Sequence, residues 1–189
     1  MKNPFIKDTN RTSMLFPHIV KSKLKGNKIK TEKELKEIIS AFKQHKITTV
    51  FTNGCFDILH VGHIRYLQEA KTLGDVLIVA VNTDSSVKQF KGDKRPIVPE
   101  KERAEMVAAL ACVDFVVLFS DRLPSRILSE LKPDIDVKGG DYTIDKMPEA
   151  SVVQGYGGQI KILKEIKGKA TTNIIKKVIE VYGDKGNQK

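Results

Sequence analysis

The sequence has few cysteines and no long hydrophobic run, and each shortage excludes a class of protein. Cys55 and Cys112 are the only cysteines in 189 residues and form no CxxC pair, which excludes a disulfide-rich scaffold and favours reduced thiols. The longest purely apolar run, Val76–Val81, is too short to cross a membrane. Residues 1–8 lack the apolar stretch of a secretory signal. We therefore expect a cytoplasmic protein without a membrane partner.

The positive charge of the chain is concentrated at its two ends. The formal net charge is +10, with +7 in residues 1–30, +5 in residues 161–189 and −2 in the residues between them. A basic protein is a candidate for nucleic-acid binding, but solvated basic ends explain this distribution more simply. Nucleic acid is therefore not an expected partner.

Alternating strand and helix patterns predict a single-domain α/β fold with a Rossmann-like, doubly wound parallel sheet. We expect a basic, partly ordered arm over residues 1–30, one domain over residues 31–183 and a tail over residues 184–189. Strands are predicted at 47–52, 75–82, 113–119, 135–138 and 159–163, and helices at 31–43, 57–73, 99–110, 124–131, 148–156 and 172–182. In such sheets, ligands bind beyond the carboxyl ends of the strands.

The densest cluster of reactive side chains lies in residues 52–63, TNGCFDILHVGH, where a predicted strand leads into a helix. The free N–H groups and the dipole at a helix N-terminus favour an anion. His60 and His63 are three residues apart and so stand on one side of the first helical turn, and Gly62 leaves room for a bulky ligand. Two imidazole donors at such a place suit a phosphate that gains charge in a transition state.

Other interpretations of the two histidines stay open on spacing alone. They could bind zinc together with Cys55, although zinc sites usually have three or four protein ligands and neither His18 nor His45 lies in a cluster. Cys55 could be a nucleophile activated by His60, although no third group nearby would orient the pair. Both histidines could also be hydrogen-bonded structural residues.

Residues 54–63, GCFDILHVGH, resemble the HxGH signature of the nucleotidyltransferase superfamily that includes the cytidylyltransferases. Further segments follow in the order and spacing of one branch, the adenylyltransferases that make ADP-heptose: 81–88, 91–96, 102–103, 137–142 and 171–177. The resemblance covers about residues 30–180, and the KGGDY and TTNII segments favour the heptose branch. It implies adenylyl transfer from ATP with Mg²⁺ to a heptose 1-phosphate for lipopolysaccharide core or related glycans, and a homodimer.

The resemblance also implies roles for individual residues. His60 and His63 would stabilise the region that bridges the α- and β-phosphates. Lys91 or Lys94 would reach the triphosphate as a point charge, although exposed loop lysines are usually only solvated. The backbone of four residues after the first strand would hold the α-phosphate: Asn53, Gly54, Cys55 and Phe56.

Three more side chains are candidates for contact with the substrate. Asp57 either caps the following helix, which we favour, or touches the substrate. Asp84 would touch sugar hydroxyls. Arg103 has a bidentate fork suited to phosphate, and its alternative is a helix-surface pair with Glu100 or Glu105.

Two segments near the end of the sequence complete the predicted site. By resemblance, the loop of Gly139, Gly140 and Asp141 faces the base and ribose, although a plain turn is the alternative. Thr171 or Thr172 is expected to cap the last helix and to bind phosphate.

Two departures from the resemblance bear on the alternative functions. Ala170 replaces a serine that many relatives carry, which removes one hydroxyl contact. Glu165 stands where the glycerol-phosphate cytidylyltransferases have an arginine, which counts against a cytidylyltransferase for glycerol 3-phosphate or another phosphorylated alcohol. A non-catalytic nucleotide- or RNA-binding module is the third hypothesis. No metal site built from protein ligands is expected.

Overall fold

Five parallel strands form one sheet in the computed structural model, which describes residues 26–140, 143–164 and 168–183. The elements in chain order are α1 (Glu32–Gln44), β1 (Thr49–Gly54), α2 (Val61–Lys71), β2 (Val76–Asn82), α3 (Asp84–Lys91), α4 (Glu100–Ala108), β3 (Phe115–Phe119), α5 (Ser125–Leu131), β4 (Ile135–Gly139), a 3₁₀ turn (Ile144–Lys146), α6 (Ala150–Gly155), β5 (Gln159–Leu163) and α7 (Thr171–Tyr182). The strand order is β3-β2-β1-β4-β5, and every neighbouring pair is parallel. The predicted doubly wound sheet is confirmed.

The order of the strands places a topological switch point between β1 and β4. From β1 the chain moves outward to β2 and β3, and it then returns to the other side of β1 through β4 and β5. Ligands of open α/β sheets bind at such a point, outside the carboxyl ends of the strands. Gly54 ends β1 and Gly139 ends β4, so the candidate site lies above these two glycines.

Strand β2 shows why the sheet is covered on both faces. All of its residues are buried. Val76, Ile78 and Ala80 belong to the core formed with α1, α5 and α6, whereas the alternate residues, beginning with Leu77 and Val79, belong to the core formed with α2 and α4. A strand buried on both faces needs a continuous apolar sequence, which is the pattern that predicted this strand.

Two predicted boundaries are wrong for physical reasons. The helix predicted from residue 57 begins only at Val61, because the preceding loop includes left-handed backbone at Phe56 (φ 49°) and Ile58 (φ 43°). The residues between the strand predicted at 75–82 and the helix predicted at 99–110 contain a further helix, α3, whose first turn is capped by the Thr83 side chain. Helix α3 has too few apolar residues for a periodic pattern, so its cap was the only local signal.

The end of the predicted arm belongs to the sheet region. The backbone N–H of Lys30 donates to Val116 O (2.8 Å), and Val116 N–H donates to Lys28 O (2.9 Å), so residues 28–30 lie beside β3. Residues 1–25 and 184–189 lie outside the described residues, and the predicted arm and tail remain predictions there. In the described parts of the chain, no helix combines the length and the apolar character needed to cross a bilayer.

Asp136 on β4 is a buried carboxyl group without a partner. The residue is fully buried, and neither carboxyl oxygen has a hydrogen-bond partner among the described residues. Burial raises the pKa of Asp136 to about 6; Glu149 adds to this shift and Lys138 opposes it. The folded protein therefore binds this proton more tightly than the unfolded chain, and stability is lost as the pH rises towards and through 6.

We expect an Asp136→Asn variant to lose this pH dependence. Between pH about 4 and about 8, the wild type should lose up to about 3 kcal/mol of unfolding free energy relative to the variant. Urea unfolding of both proteins across this range measures the difference. Asp145→Asn, an exposed change of the same chemistry, is the control and should run parallel to the wild type. Parallel curves for Asp136→Asn would contradict the assignment.

Candidate active site

The loop between β1 and α2 places the two histidines at the start of α2. His60 is the N-cap of α2, and the Gly62 N–H donates to its Nδ1 (3.1 Å). Since Nδ1 accepts this hydrogen bond, the ring proton of neutral His60 is on Nε2, which remains a donor. The helix is therefore capped by the same side chain that was predicted to serve a phosphate.

The two imidazole rings form a stack that holds them in one orientation. Their centroids are 3.8 Å apart with an angle of 20° between the planes, and the Phe56 ring lies 5.3 Å from His63 on a tilted plane. Burial and the neighbouring His60 lower the pKa of His63 to about 4, and burial lowers the pKa of His60. Both rings are therefore neutral donors at neutral pH.

Gly62 is required by this arrangement. A Cβ built on Gly62 would lie 2.9 Å from the His60 ring and 3.0 Å from the Lys169 Cβ. No side chain fits at this distance unless the imidazole moves. The glycine of the HxGH pattern thus lets the chain before α7 come close to the histidines.

The thiol and zinc interpretations gain no support from the structure. Burial raises the pKa of the Cys55 thiol on balance, although the charge of Lys91 lowers it, and a protonated thiol is a poor nucleophile. The described residues contain no group of three or more histidine, cysteine, aspartate or glutamate side chains that could hold a metal ion. Of the proposed interpretations, the position of the histidine pair at the helix N-terminus favours anion binding over zinc binding or thiol activation.

Asp57 does not cap α2, contrary to expectation. Its buried carboxylate accepts hydrogen bonds from Arg95 Nε (2.6 Å) and from the backbone N–H groups of Ile97 and Val98 (each 3.0 Å). Burial alone would raise the pKa of Asp57, but these hydrogen bonds outweigh it and lower the pKa. The cap position belongs to His60 because the loop extends three residues further, so Asp57 instead secures residues 95–98.

The predicted substrate contacts Arg103 and Asp84 bind each other. Arg103 is fully buried and its Nη2 donates to Asp84 Oδ1 (2.7 Å). Its Nε donates to Val98 O (2.8 Å) and its Nη1 donates to Cys55 O. The guanidinium therefore joins the histidine loop to α3 and α4 instead of facing a phosphate, and neither surface pair considered for Arg103 is formed.

The two candidate lysines differ in their relation to the histidine loop. Lys91 is the last residue of α3, and Lys94 lies in the following loop; both are exposed. The charge of Lys91 acts on Cys55, whereas Lys94 contributes nothing comparable there. The charge of Lys91 therefore reaches the histidine loop at Cys55.

The capping prediction for the last helix is also wrong. Helix α7 begins at Thr171, so the cap position falls on Ala170, which has no side-chain acceptor. Thr171 Oγ1 donates instead to the backbone carbonyl of Asp57 (2.6 Å), and Thr172 is exposed. Asp57 is therefore joined to α7 as well as to residues 95–98.

A cavity of ≈ 310 Å³ adjoins the histidines on the side of α7. His60 and Gly168 line it, together with the side chains of Lys169, Asn173 and Lys177. Ala170, Ile174 and Val178 also line it, so the groups that favour an anion, which are His60, Lys169 and the N-terminal turn of α7, lie beside an apolar wall. The Lys177 ammonium is paired with Glu180 (3.1 Å).

The predicted base-binding loop begins where expected. Gly139 ends β4, and a Cβ there would lie 3.0 Å from the Tyr66 ring. Gly140 has φ 126°, which favours glycine, and its N–H donates to Leu163 O (3.1 Å). Asp141 lies outside the described residues. The tight packing at Gly139 fixes the end of β4 beside β1.

A polar group that was not predicted from the sequence lies beside these glycines. Lys138 donates to Asn53 Oδ1 and forms an ion pair with Glu149 (2.7 Å). The Tyr66 hydroxyl is hydrogen-bonded to Thr52 Oγ1 (2.7 Å) and donates to Val137 O (2.9 Å). The one sequence signal for this polar group was Lys138, a lysine within a strand whose other residues are largely buried.

The sequence profile of the cytidylyltransferase-like family matches residues 51–177. The chain belongs to this family. It is 49% identical over 157 residues to the bifunctional protein HldE of Geobacter metallireducens, covering 83% of this chain and 32% of that protein. The HldE of Geotalea uraniireducens is 50% identical over 151 residues, covering 80% and 31% respectively. The chain spans about a third of the length of these relatives.

A solved structure adds a shorter neighbour. The crystal structure of the lipopolysaccharide core biosynthesis protein from Thermoplasma volcanium GSS1 is 35% identical, with a TM-score of 0.54, and the match covers 65% of this chain and 99% of that one. The predicted superfamily and fold are thus confirmed by a profile, by sequence relatives and by a structure.

Proposed function

We propose that the protein transfers the adenylyl group of ATP to a heptose 1-phosphate, giving ADP-heptose and pyrophosphate. The observation that carries the proposal is the stacked, neutral pair of His60 and His63 at the N-terminus of α2, above the switch point of a cytidylyltransferase-like sheet. The KGGDY and TTNII segments and the similarity to HldE support the heptose substrate. The similarity to a lipopolysaccharide core biosynthesis protein supports the glycan context.

The reaction is an in-line displacement without a covalent enzyme intermediate. A phosphate oxygen of the sugar phosphate attacks the α-phosphorus, the bond to the α–β bridging oxygen breaks, and pyrophosphate leaves with the electron pair. Such a transfer depends on positioning and on neutralising charge. The loop that ends at His60 and the helix that begins there supply the positioning, because the capping hydrogen bond and the ring stack fix the direction of Nε2–H.

Positive charge for the leaving group comes from groups around the histidines. We propose that Lys91 approaches from the end of α3, while Lys169 and the N-terminus of α7 border the cavity beside His60. The histidines are neutral, so they contribute hydrogen bonds and orientation while the lysines contribute charge. This division suits a triphosphate, which carries more negative charge than two imidazoles could neutralise.

Magnesium would enter with ATP. Mg²⁺ prefers oxygen ligands and is commonly held by substrate phosphates with few protein groups. Among the described residues no group of three or more histidine, cysteine, aspartate or glutamate side chains could hold a metal ion, and the ligands of the ion would be the phosphate oxygens of ATP. The ion would neutralise charge on the triphosphate. A cytoplasmic location and a homodimer remain part of the proposal.

Pyrophosphate release with each combination of nucleotide and phosphorylated acceptor tests the proposal. ATP with heptose 1-phosphate is expected to be the productive pair. Release only with CTP and glycerol 3-phosphate would replace it with the cytidylyltransferase alternative. Salt-sensitive RNA binding without turnover of any pair would favour the non-catalytic module.

Two substitutions of His60 separate its catalytic role from its capping role. Asparagine is a good N-cap, so His60→Asn should keep the unfolding free energy near that of the wild type, whereas His60→Ala should lose about 1 kcal/mol. Both lack the Nε2–H donor and should lower kcat about 100-fold or more. Urea unfolding and pyrophosphate release measure the two effects. Full activity of His60→Asn would show that the histidine serves only as a cap.

A matched pair of lysine variants distinguishes Lys91 from Lys94. Lys91→Ala should raise KM for ATP about tenfold or more, because it removes a charged donor to phosphate. Lys94→Ala removes an equally exposed lysine three residues away and should change it less than about twofold. Steady-state kinetics at saturating sugar phosphate measures both. The reverse ranking would assign the role to Lys94.

A further inference from the structure

A small polar cluster of Asn53, Lys138 and Glu149 lies on the face of the sheet opposite to α2. Asn53 follows Phe51 by two residues on β1, and Phe51 packs in the core formed with α1, α5 and α6. On β4, Ile135 and Val137 belong to the core formed with α2 and α4, and Lys138 directly follows Val137. Because alternate residues of a strand point to opposite faces, Asn53 and Lys138 are on the α6 side.

The chemistry of Lys138 fixes the orientation of the Asn53 amide. An ammonium group has only donors, so the atom of Asn53 that faces Lys138 must be Oδ1, as observed. The ammonium also pairs with Glu149 Oε1 (2.7 Å), and the Lys138 and Glu149 side chains are only 13% and 7% exposed. A buried, doubly held ammonium prevents the amide from turning over.

The amino group of the Asn53 amide remains available as a hydrogen-bond donor. With Oδ1 occupied, Asn53 presents Nδ2, which has no hydrogen-bond partner among the described residues. Asn53 is partly exposed and directly precedes Gly54, where β1 ends. The cluster therefore holds one neutral hydrogen-bond donor, Asn53 Nδ2, in a fixed orientation at the switch point between β1 and β4.

The position of this donor favours a hydrogen bond to the nucleoside half of the nucleotide over one to the phosphates. The groups that favour an anion lie at the N-terminus of α2, on the face of the sheet opposite to α6. They are His60, Lys169 and the N-terminus of α7. A nucleotide bound across the switch point with its phosphates at those groups extends its nucleoside over the ends of β1 and β4. Lys138 is not itself a phosphate ligand, because Glu149 neutralises it.

We propose that Asn53 Nδ2 donates a hydrogen bond to an acceptor of the adenosine half of ATP, and that Lys138 and Glu149 are positioning residues for this donor. The inference rests on the proposed function for the identity of the nucleotide. It gives the Asn53 side chain a role distinct from the backbone contact to phosphate expected from the sequence.

Binding of ATP alone, without a sugar phosphate, tests the inference. Asn53→Asp keeps an oxygen towards Lys138 but replaces the outward donor with an acceptor, so ATP affinity should fall about tenfold or more. Asn53→Ala removes the donor without adding charge and should also weaken ATP binding. Affinity for inorganic pyrophosphate, which has no nucleoside, should stay at the wild-type value. An equal loss for pyrophosphate would overturn the assignment to adenosine.

Variants of Lys138 test the positioning role. Lys138→Met frees the amide to turn over and should weaken ATP binding, whereas Lys138→Arg, which also has only donors, should restore most of it. Thermal unfolding identifies a merely structural effect. Loss of ATP affinity in proportion to loss of Tm across the variants, or wild-type affinity in Asn53→Asp, would overturn the inference.

The two proposals fail in distinguishable ways. If the wild type binds ATP and Asn53→Asp does not, but no pyrophosphate is released with heptose 1-phosphate, the proposed acceptor is wrong and the role of Asn53 stands. If the wild type makes ADP-heptose and Asn53→Asp binds ATP equally well, the proposed function stands and the role of Asn53 is wrong.

Discussion

The buried carboxylate of Asp57 is the constraint on which the rest of the site depends. It accepts hydrogen bonds from residues 95–98, while its backbone carbonyl accepts one from Thr171. A buried charge is costly unless it is paired and hydrogen-bonded, so the histidine loop reaches its native position only when the segment after α3 and the start of α7 are also in place. One residue thereby joins the three segments that carry the histidines, the candidate lysines and the cavity.

A second buried charge, Arg103, secures the same loop from the opposite side. It binds Cys55 O, Val98 O and Asp84, so Val98 is held by Asp57 through its N–H and by Arg103 through its carbonyl. Removing one member of a buried ion pair is strongly destabilising, which makes both charges scaffold residues. The loop they support includes left-handed backbone at Phe56 and Ile58 and needs this support to hold the imidazole stack.

Sequence patterns predicted the fold well because its determinants are local. The apolar run of β2, the capping box at Thr31 and the HxGH segment each lie within a few consecutive residues. The contacts of Asp57, Arg103 and Asn53 were not predicted, because they involve partners 38, 48 and 85 residues away. Periodicity places a residue on an element, but it does not identify which side chain from another element will meet it. Local features were also missed: α3 has few apolar residues, and the caps of α2 and α7 were assigned to the wrong residues.

Pairing also explains how a central region with a net charge of −2 can form the proposed site for a triphosphate. Around the crevice, Asp57 is paired with Arg95, Asp84 with Arg103 and Glu149 with Lys138. These pairs neutralise three acids within the protein, and neither Lys91 nor Lys169 forms an ion pair with another of the described residues. Lys169 comes from the basic C-terminal end of the chain, which means that part of the charge that first suggested nucleic acid instead lines a cavity beside His60. The net charge of a segment therefore says less about its ligand than the identity of the charges that remain unpaired at the strand ends.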